Sequence, residues 1–286
     1  MRPGQPSSTA QWVAFARGLG PWHEPALSDD PLAATLLGGT LGALLGVAAA
    51  VPPLTRALVR FGDFATGGRT RFMCYRTRVL DDAVRAAAAE GIDQLVILGA
   101  GLDSRAWRLG SAVAGMTVFE VDHPDTQALK RSRLGERPLQ AADVHFVGVD
   151  FGVDSLEANL LAAGFNPVRP ALVLWEGVVM YLHPAAIDAT LATLRGLLAP
   201  GSAVATSYSR SSGGRATLLR RLVGLVVGAM GEPFRHHEEP AQMRVRMERA
   251  GFRVRWDEGH PDWVPRYTGG ATTWDMQRIV LAEPQP

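Results

Sequence analysis

From Gln94 onward, short apolar runs alternate with segments of helical periodicity, and this alternation limits the possible folds more than any other feature of the chain. The runs are typical of buried strands and read LVILGAG, MTVFEVDHP, VHFVGVDF, PALVLWEGVVMYL and SAVATSYS. Helical patterns follow the second, third and fourth runs. Two late segments, FRVRWDEG and TWDMQRIVLAE, with a short loop between them, predict an antiparallel edge. We therefore expect an α/β fold with a doubly wound, mostly parallel sheet and an antiparallel edge.

Composition excludes some classes of function. The net charge of +1 gives no electrostatic reason to expect a nucleic-acid partner. A single cysteine, Cys74, rules out an internal disulfide and agrees with a reducing cytoplasm. The first twenty residues lack a continuous apolar core, so we expect no signal peptide and predict a cytoplasmic protein. The seven histidines show no metal-ligand spacing, so we expect no metal site.

The segment from Pro31 to Leu54 contains no charged residue and is long enough to cross a bilayer. A membrane span is therefore one interpretation. The segment is rich in glycine and alanine and is bounded by prolines, which favours a packed helical cap instead. A weak contact with a membrane surface is intermediate between the two. We expect residues 1–90 to form this cap, a lid over the strand ends, and we do not expect membrane association. Residues 91–286 form the main predicted domain, with a helical insertion near 210–250.

The first strand ends in the glycine turn GAGLDS, which begins at Gly99. In an open α/β sheet, ligands bind outside the carboxyl ends of the strands. The dinucleotide fingerprint requires a third glycine where Ser104 stands, and Asp103 would repel a pyrophosphate. These departures argue against a nicotinamide dinucleotide and suit S-adenosylmethionine, which carries no phosphate. The Gly-x-Gly pattern alone leaves both cofactors open.

Acidic residues end the next three strands. Glu120 and Asp122 share one face of the second strand, where a carboxylate can accept both ribose hydroxyls of either cofactor. Asp150 can accept the adenine amino group while Phe151 covers the ring. Glu176 can meet the amino or sulfonium group. Each acid has an alternative interpretation. Glu120 or Asp122 can be a charge at a helix N-terminus, Asp150 a helix cap, and Glu176 a residue with a role in loop structure.

The motifs VILGAGLDSRAWRL, VFEVDHP, VGVDF and LWEGVVMYL, taken together and in this order, resemble the leucine carboxyl methyltransferase family. The closest resemblance is to its bacterial branch, which includes enzymes that methyl-esterify carboxylates on polyketides. Upstream, STAQWVAFARGL, SDDPLA and YRTRVLDDAV also resemble that branch, so the likeness covers roughly Thr9 to Leu182. It implies the Rossmann-like fold of class I methyltransferases, a helical N-terminal lid and S-adenosylmethionine as the cofactor.

The resemblance also implies roles for individual residues. Arg76, or Arg78 as the alternative, would hold the cofactor carboxylate, and the turn Gly99–Ala100–Gly101 would bind its amino-acid part. The remaining cofactor contacts that it implies are Asp122 to ribose, Asp150 and Phe151 to adenine, and Glu176 closing the site.

A substrate carboxylate is ionised at pH 7 and needs orientation and desolvation but no general base. Tyr181 and Arg105 are our candidates for orienting it, because both follow strand ends at the predicted pocket. We therefore predict an O-methyltransferase that methyl-esterifies a carboxylate of a small metabolite, polyketide or peptide terminus. The alternatives are hydroxyl methylation, a nicotinamide-dependent oxidoreductase and a non-catalytic nucleoside-binding protein. The sequence leaves the oligomeric state open.

Overall fold

The computed structural model describes residues 8–66, 69–150, 153–210 and 236–285. Before the first strand, its described residues are mostly helical, as the sequence predicts for residues 1–90. These helices are α1 (Ser8–Gly18), α2 (Ala33–Leu37), α3 (Gly39–Ala50), α4 (Pro52–Thr66) and α5 (Arg69–Ala89). Their role as a lid stays a prediction.

A seven-stranded sheet follows, with strand order β3-β2-β1-β4-β5-β7-β6. Its strands are β1 (Gln94–Leu98), β2 (Thr117–Asp122), β3 (Asp143–Gly148), β4 (Ala171–Trp175), β5 (Ala203–Ser209), β6 (Phe252–Gly259) and β7 (Gln277–Pro284). Strands β1 to β5 pair in parallel, and β7 pairs antiparallel with both β5 and β6. This confirms the expected α/β fold with a mostly parallel sheet and an antiparallel edge.

Helices follow the second, third and fourth strands, as the sequence predicts, and other helices lie elsewhere between the strands. They are α6 (Arg105–Arg108), α7 (Pro124–Leu134), α8 (Leu156–Ala162), α9 (Pro184–Leu197), α10 (Pro240–Arg249) and α11 (His260–Thr268). Helix α11 occupies what the sequence suggests to be a loop between the late strands. Helix α10 falls within the helical insertion predicted near 210–250, and positions 211–235 of that insertion lie outside the described residues.

Both faces of the sheet are buried against helices. In β1, Leu95 and Ile97 join a buried cluster that includes residues of α5, while Val96 and Leu98 join a second cluster with α8 and α9. This alternation follows from the two-residue period of a strand, and burial on both faces explains why the run is uniformly apolar. Two helical layers therefore fix the central strands, and with them the position of the turn after β1.

The strand order reverses next to β1, which has β2 on one side and β4 on the other. Because these strands are parallel, their carboxyl ends meet at the same edge of the sheet. Ligands of open α/β sheets bind at such a reversal point.

No single helix in the described ranges is long and apolar enough to span a membrane. Helix α3 and the Pro52–Phe61 part of α4 are long and apolar enough only when taken together, and they meet at a bend of 114°.

Candidate active site

The glycine turn after β1 has a conformation that requires glycine. Gly99 and Gly101 have φ angles of +68° and +50°. The N–H groups of Gly99 and Ala100 donate to the carbonyl oxygen of Val121 at 2.8 and 3.0 Å, which ties the turn to β2. A Cβ atom on Gly99 would lie 2.5 Å from a methyl carbon of Val178. Both the backbone and the packing therefore disfavour a side chain at position 99.

Asp122, at the end of β2, lies against this turn. One carboxylate oxygen accepts the N–H of Gly101 at 2.6 Å, and the other accepts the N–H of His123 at 2.7 Å. Burial raises the pKa of Asp122, and the two backbone donors oppose that rise. The structure thus brings Asp122 and the glycine turn together, as the sequence predicts.

Glu120 shares the strand face of Asp122 but lies in the protein interior. Its carboxylate contacts the ammonium group of Lys130 at 2.5 Å, and both side chains are buried. Burial raises the pKa of Glu120 to about 7, against the lowering effect of Lys130. Of the two acids on β2, only Asp122 contacts the turn.

Arg76 and Glu176 form a buried ion pair next to the strand ends. The Nε of Arg76 donates to Glu176 at 2.9 Å, and a terminal nitrogen donates to Gln277 of β7 at 3.0 Å. Arg78 is half-exposed, pairs with Asp82 and lies over the ring of Tyr267. Of the two candidate arginines, Arg76 is the one that reaches Glu176.

Arg105 is fully buried among three carboxylates. Its Nε donates to Asp81 at 2.8 Å, one terminal nitrogen donates to Asp103, and the other lies 2.9 Å from Glu176 without hydrogen-bond geometry. This setting does not favour the direct substrate contact that the sequence suggests for Arg105. Asp103 likewise points into the protein, which removes the argument that its charge would repel a pyrophosphate.

The arginines keep the buried acids ionised. Burial alone would raise the pKa of Glu176, but Arg105 and Arg76 hold that pKa below its ordinary value. Arg108 and Arg105 do the same for the pKa of Asp81, also against burial. The network therefore presents fixed negative charges and holds no ready proton acceptor among these acids.

Helix α1 packs against the glycine turn and the loop after it. A Cβ atom on Gly101 would lie 3.2 Å from the Cβ of Ala10. A terminal nitrogen of Arg17 donates to the carbonyl oxygen of Leu102 at 2.5 Å, while its Nε pairs with Asp30 at 2.9 Å. These contacts join the N-terminal helices to the loop after β1.

The other predicted residues lie around this centre. Asp150 follows β3, and its side chain is exposed. The backbone N–H of Asp150 donates to the side chain of Asp154 at 2.9 Å. Tyr181 ends the short 3₁₀ helix Val179–Tyr181, and its hydroxyl donates to Thr9 of α1 at 3.5 Å. Phe151 lies outside the described residues.

Sequence reasoning missed several members of the network, among them Asp81 and Gln277. Asp81 falls in the buried stripe of α5 with Thr77, Leu80 and Val84, and an acid at such a core-facing position is a signal of a buried partner. Gln277 gave no comparable signal, because its place depends on β7 pairing beside β5. In the described part of the chain, no group of three or more His, Cys, Asp or Glu residues is placed to hold a metal ion.

The sequence profile of the leucine carboxyl methyltransferase family matches residues 10–195, which is more than half of the chain. The chain belongs to the leucine carboxyl methyltransferase family. The matched segment of this family member includes the glycine turn and Asp122. It also includes Arg76, Arg105 and Glu176, whereas Gln277 lies beyond it.

Two curated relatives of this chain are named as methyltransferases. A "Putative S-adenosyl-L-methionine-dependent methyltransferase" of Mycolicibacterium smegmatis is 37% identical over 206 residues, which cover 70% of this chain and 65% of the relative. A protein of the same description from Mycolicibacterium gilvum is 42% identical over 168 residues, covering 58% of this chain and 51% of the relative. The chain thus spans between half and two thirds of the length of these two relatives.

Two solved structures share the fold of this leucine carboxyl methyltransferase family member. The crystal structure of a "putative methyltransferase" from Thermobifida fusca YX superposes with a TM-score of 0.63 at 17% identity, covering 99% of this chain and 96% of the other. A DUF574 family protein from Streptomyces avermitilis gives a TM-score of 0.64 at 16% identity, covering 98% of both chains.

Proposed function

We propose that the protein is an S-adenosylmethionine-dependent methyltransferase that methyl-esterifies a carboxylate. The observation that carries this proposal is the Asp122 carboxylate held against the glycine turn at the point where the strand order reverses. A carboxylate there can accept both hydroxyls of a ribose, and family membership favours the adenosyl cofactor over a dinucleotide.

The chemistry of the donor set fits S-adenosylmethionine. The positive φ angles of Gly99 and Gly101 leave a cradle without side chains, where an amino-acid group can approach the backbone. The opposite charges of Arg76 and Glu176 match the carboxylate and ammonium groups of such an amino acid. Asp122 would hold the ribose, and Asp150 and Phe151 would flank adenine.

When bound, the cofactor supplies an electrophilic methyl group on a positively charged sulfur. The residues of this chain have to orient an acceptor and exclude water. Arg105 would act through Glu176, as a positioning residue. Tyr181, at the end of the segment after β4 and in contact with α1, would orient the acceptor, and the N-terminal helices would close over both.

A carboxylate acceptor fits the electrostatics of this site. It is ionised near pH 7 and needs no proton removed, whereas a hydroxyl acceptor needs a base. The pKa values of Glu176 and Asp81 lie below their ordinary values because arginines stabilise the charged forms, so neither acid is a good base. We therefore place the acceptor among carboxylates of small metabolites, polyketides or peptide termini.

Transfer of a labelled methyl group tests this proposal. The protein is incubated with methyl-labelled S-adenosylmethionine and a panel of carboxylic acids and of phenols, and the product is then treated with dilute base. We expect label on acids only, released as methanol because esters are base-labile. Base-stable label on phenols would show hydroxyl methylation, and binding of the cofactor without transfer to any acceptor would support a non-catalytic protein.

A further inference from the structure

Helix α3 and the first part of α4 form an elbow, and within the described part of the chain one face of this elbow packs on the other helices. Gly42 and Leu45 on α3, and Thr55 and Val59 on α4, are buried. A Cβ atom on Gly42 would lie 2.3 Å from the carbonyl oxygen of Ala34, so α3 packs closely on α2. Among the described residues, the side chains on the opposite face are exposed.

That outer face is apolar and exposed. The exposed fractions of Leu44, Val47, Leu54 and Phe61 are 54, 64, 56 and 68%. Leu41 and Val51 are exposed in the same way. The segment from Pro31 to Leu54 contains no charge that would solvate this face. Exposed apolar patches of this kind mark interaction surfaces.

Two arginines border the apolar side chains. Arg56 and Arg60 lie one turn apart on α4 and are exposed, on a flank of the helix that Ala57, itself exposed, separates from Leu54 and Phe61. Arg56 makes a long ion pair of 3.9 Å with Glu24, in which both side chains are at least half-exposed. Apolar side chains bordered by arginines are typical of helices that lie in the plane of a membrane surface, since long basic side chains can reach the lipid phosphates.

We propose that this outer face of the elbow docks on the surface of an anionic lipid bilayer. Helices of 12 and 15 residues meeting at 114° lie along a bilayer and do not cross it. Leu44, Val47 and Phe61 enter the region between headgroups and acyl chains, while Arg56 and Arg60 bind the phosphates. The proposal does not depend on the proposed methyltransferase activity.

A second copy of this chain fits the face less well. A two-fold contact presents the same patch on both sides, so the arginines would be buried against apolar groups or against each other. Lipid phosphates provide the counter-charge that such a contact lacks.

Sedimentation with vesicles tests the proposal on the full chain. Vesicles of phosphatidylcholine with one third phosphatidylglycerol are compared with pure phosphatidylcholine. The variants are Leu44→Ser with Val47→Ser, and Arg56→Gln with Arg60→Gln. The matched control is Val168→Ser with Val245→Ser, because these valines are 80 and 43% exposed and lie elsewhere. Circular dichroism checks that every variant is folded.

We expect wild-type protein to partition at least fivefold more strongly into the anionic vesicles. The Leu44/Val47 variant should bind both kinds at least tenfold more weakly, the arginine variant should lose the anionic preference, and the control should stay within twofold of wild type. Absence of vesicle binding, or binding that the Leu44/Val47 change leaves intact, overturns the proposal. So does a dimer in light scattering that this change dissociates without any effect on vesicle binding.

Discussion

At the scale of single residues, Arg105 holds the buried charges of the site together. Its guanidinium contacts Asp81, Asp103 and Glu176, and no part of it reaches solvent. Burial works against its charge, but the three acids raise the pKa of Arg105 well above its ordinary value. Removal of one member of a buried ionic group leaves the others uncompensated, which costs more than the group contributes when it is complete.

We therefore expect Arg105→Met to destabilise the protein by about 3–5 kcal/mol. The matched control is Arg78→Met, which breaks a half-exposed pair with Asp82 and should cost about 0–1 kcal/mol. Urea unfolding at pH 7 measures both. Equal losses in the two variants would contradict the role we give to Arg105.

The same network should make stability depend on pH. Burial would raise the pKa values of Glu176, Asp81 and Asp103, but neighbouring arginines lower them. Arg105 acts on all three acids. It is joined by Arg76 at Glu176, by Arg108 at Asp81 and by Arg17 at Asp103. The ordinary pKa values are 4.5 for a glutamate and 3.8 for an aspartate. At a pH above these values, the acids are ionised in both the folded and the unfolded chain, so their full contribution to stability is present.

As the pH falls below about 4.5, the unfolded chain takes up protons first, and this contribution is lost. The difference in unfolding free energy between wild type and Arg105→Met should therefore shrink between pH 7 and pH 3.5. Urea unfolding at pH 7, 5 and 3.5 checks this. A difference that stays constant or grows towards low pH would show that charge pairing is not the cause.

Individual residues could be predicted as far as local patterns allow. Asp122 and Glu176 follow strand ends, and the structure gives both a partner in the expected region. Asp103 and Arg105 were assigned outward roles because sequence spacing shows which residues are near, not which way they turn. Their mutual pairing satisfies two charges that the turn buries.

At the scale of elements, the turn after β1 sets the geometry of the site. Its shape depends on Gly99, whose φ of +68° and close contact with Val178 both disfavour a Cβ atom. Gly110 has a comparable φ of +56°, but no atom lies within 4 Å of its Cβ position. The two glycines therefore separate backbone strain from steric overlap.

We expect Gly110→Ala to cost about 1–2 kcal/mol of unfolding free energy, from the backbone alone. Gly99→Ala should cost at least about 1 kcal/mol more, because the new methyl group overlaps Val178. A double-mutant cycle with Val178→Ala should recover the steric part and leave the backbone part. If the cycle shows no coupling between positions 99 and 178, the close packing of the turn is wrong.

The elements were largely predictable, but their long-range arrangement was not. The five strands from β1 to β5 match apolar runs in the sequence within a few residues. The insertion of β7 between β5 and β6, which brings Gln277 to Arg76, depends on pairing between distant segments that periodicity does not encode. Helix α11 was missed because its sequence, HPDWVPRYT, contains an internal proline, which normally argues against a helix.

At the scale of the whole molecule, the N-terminal helices and the sheet meet over the turn. Ala10 and Arg17 of α1 contact the turn and the loop after it, and Thr9 contacts Tyr181. The lid over the strand ends stays a prediction, and the apolar elbow of α3 and α4 belongs to the same set of N-terminal helices. The long uncharged segment predicted a packed cap, yet only the structure shows that one of its faces remains exposed.

Calorimetry with S-adenosylhomocysteine tests whether Asp122 binds the ribose of the proposed cofactor, S-adenosylmethionine. Asp122→Asn keeps the size of the side chain, but its amide must turn an N–H towards Gly101 or His123 and cannot match the carboxylate. We expect wild type to bind S-adenosylhomocysteine and not NAD. The Asp122→Asn variant should bind S-adenosylhomocysteine roughly 10- to 100-fold more weakly, because it loses charge-assisted hydrogen bonds worth about 1.5–3 kcal/mol. Unchanged affinity in a folded Asp122→Asn variant, or tight binding of NAD by wild type, would contradict this account.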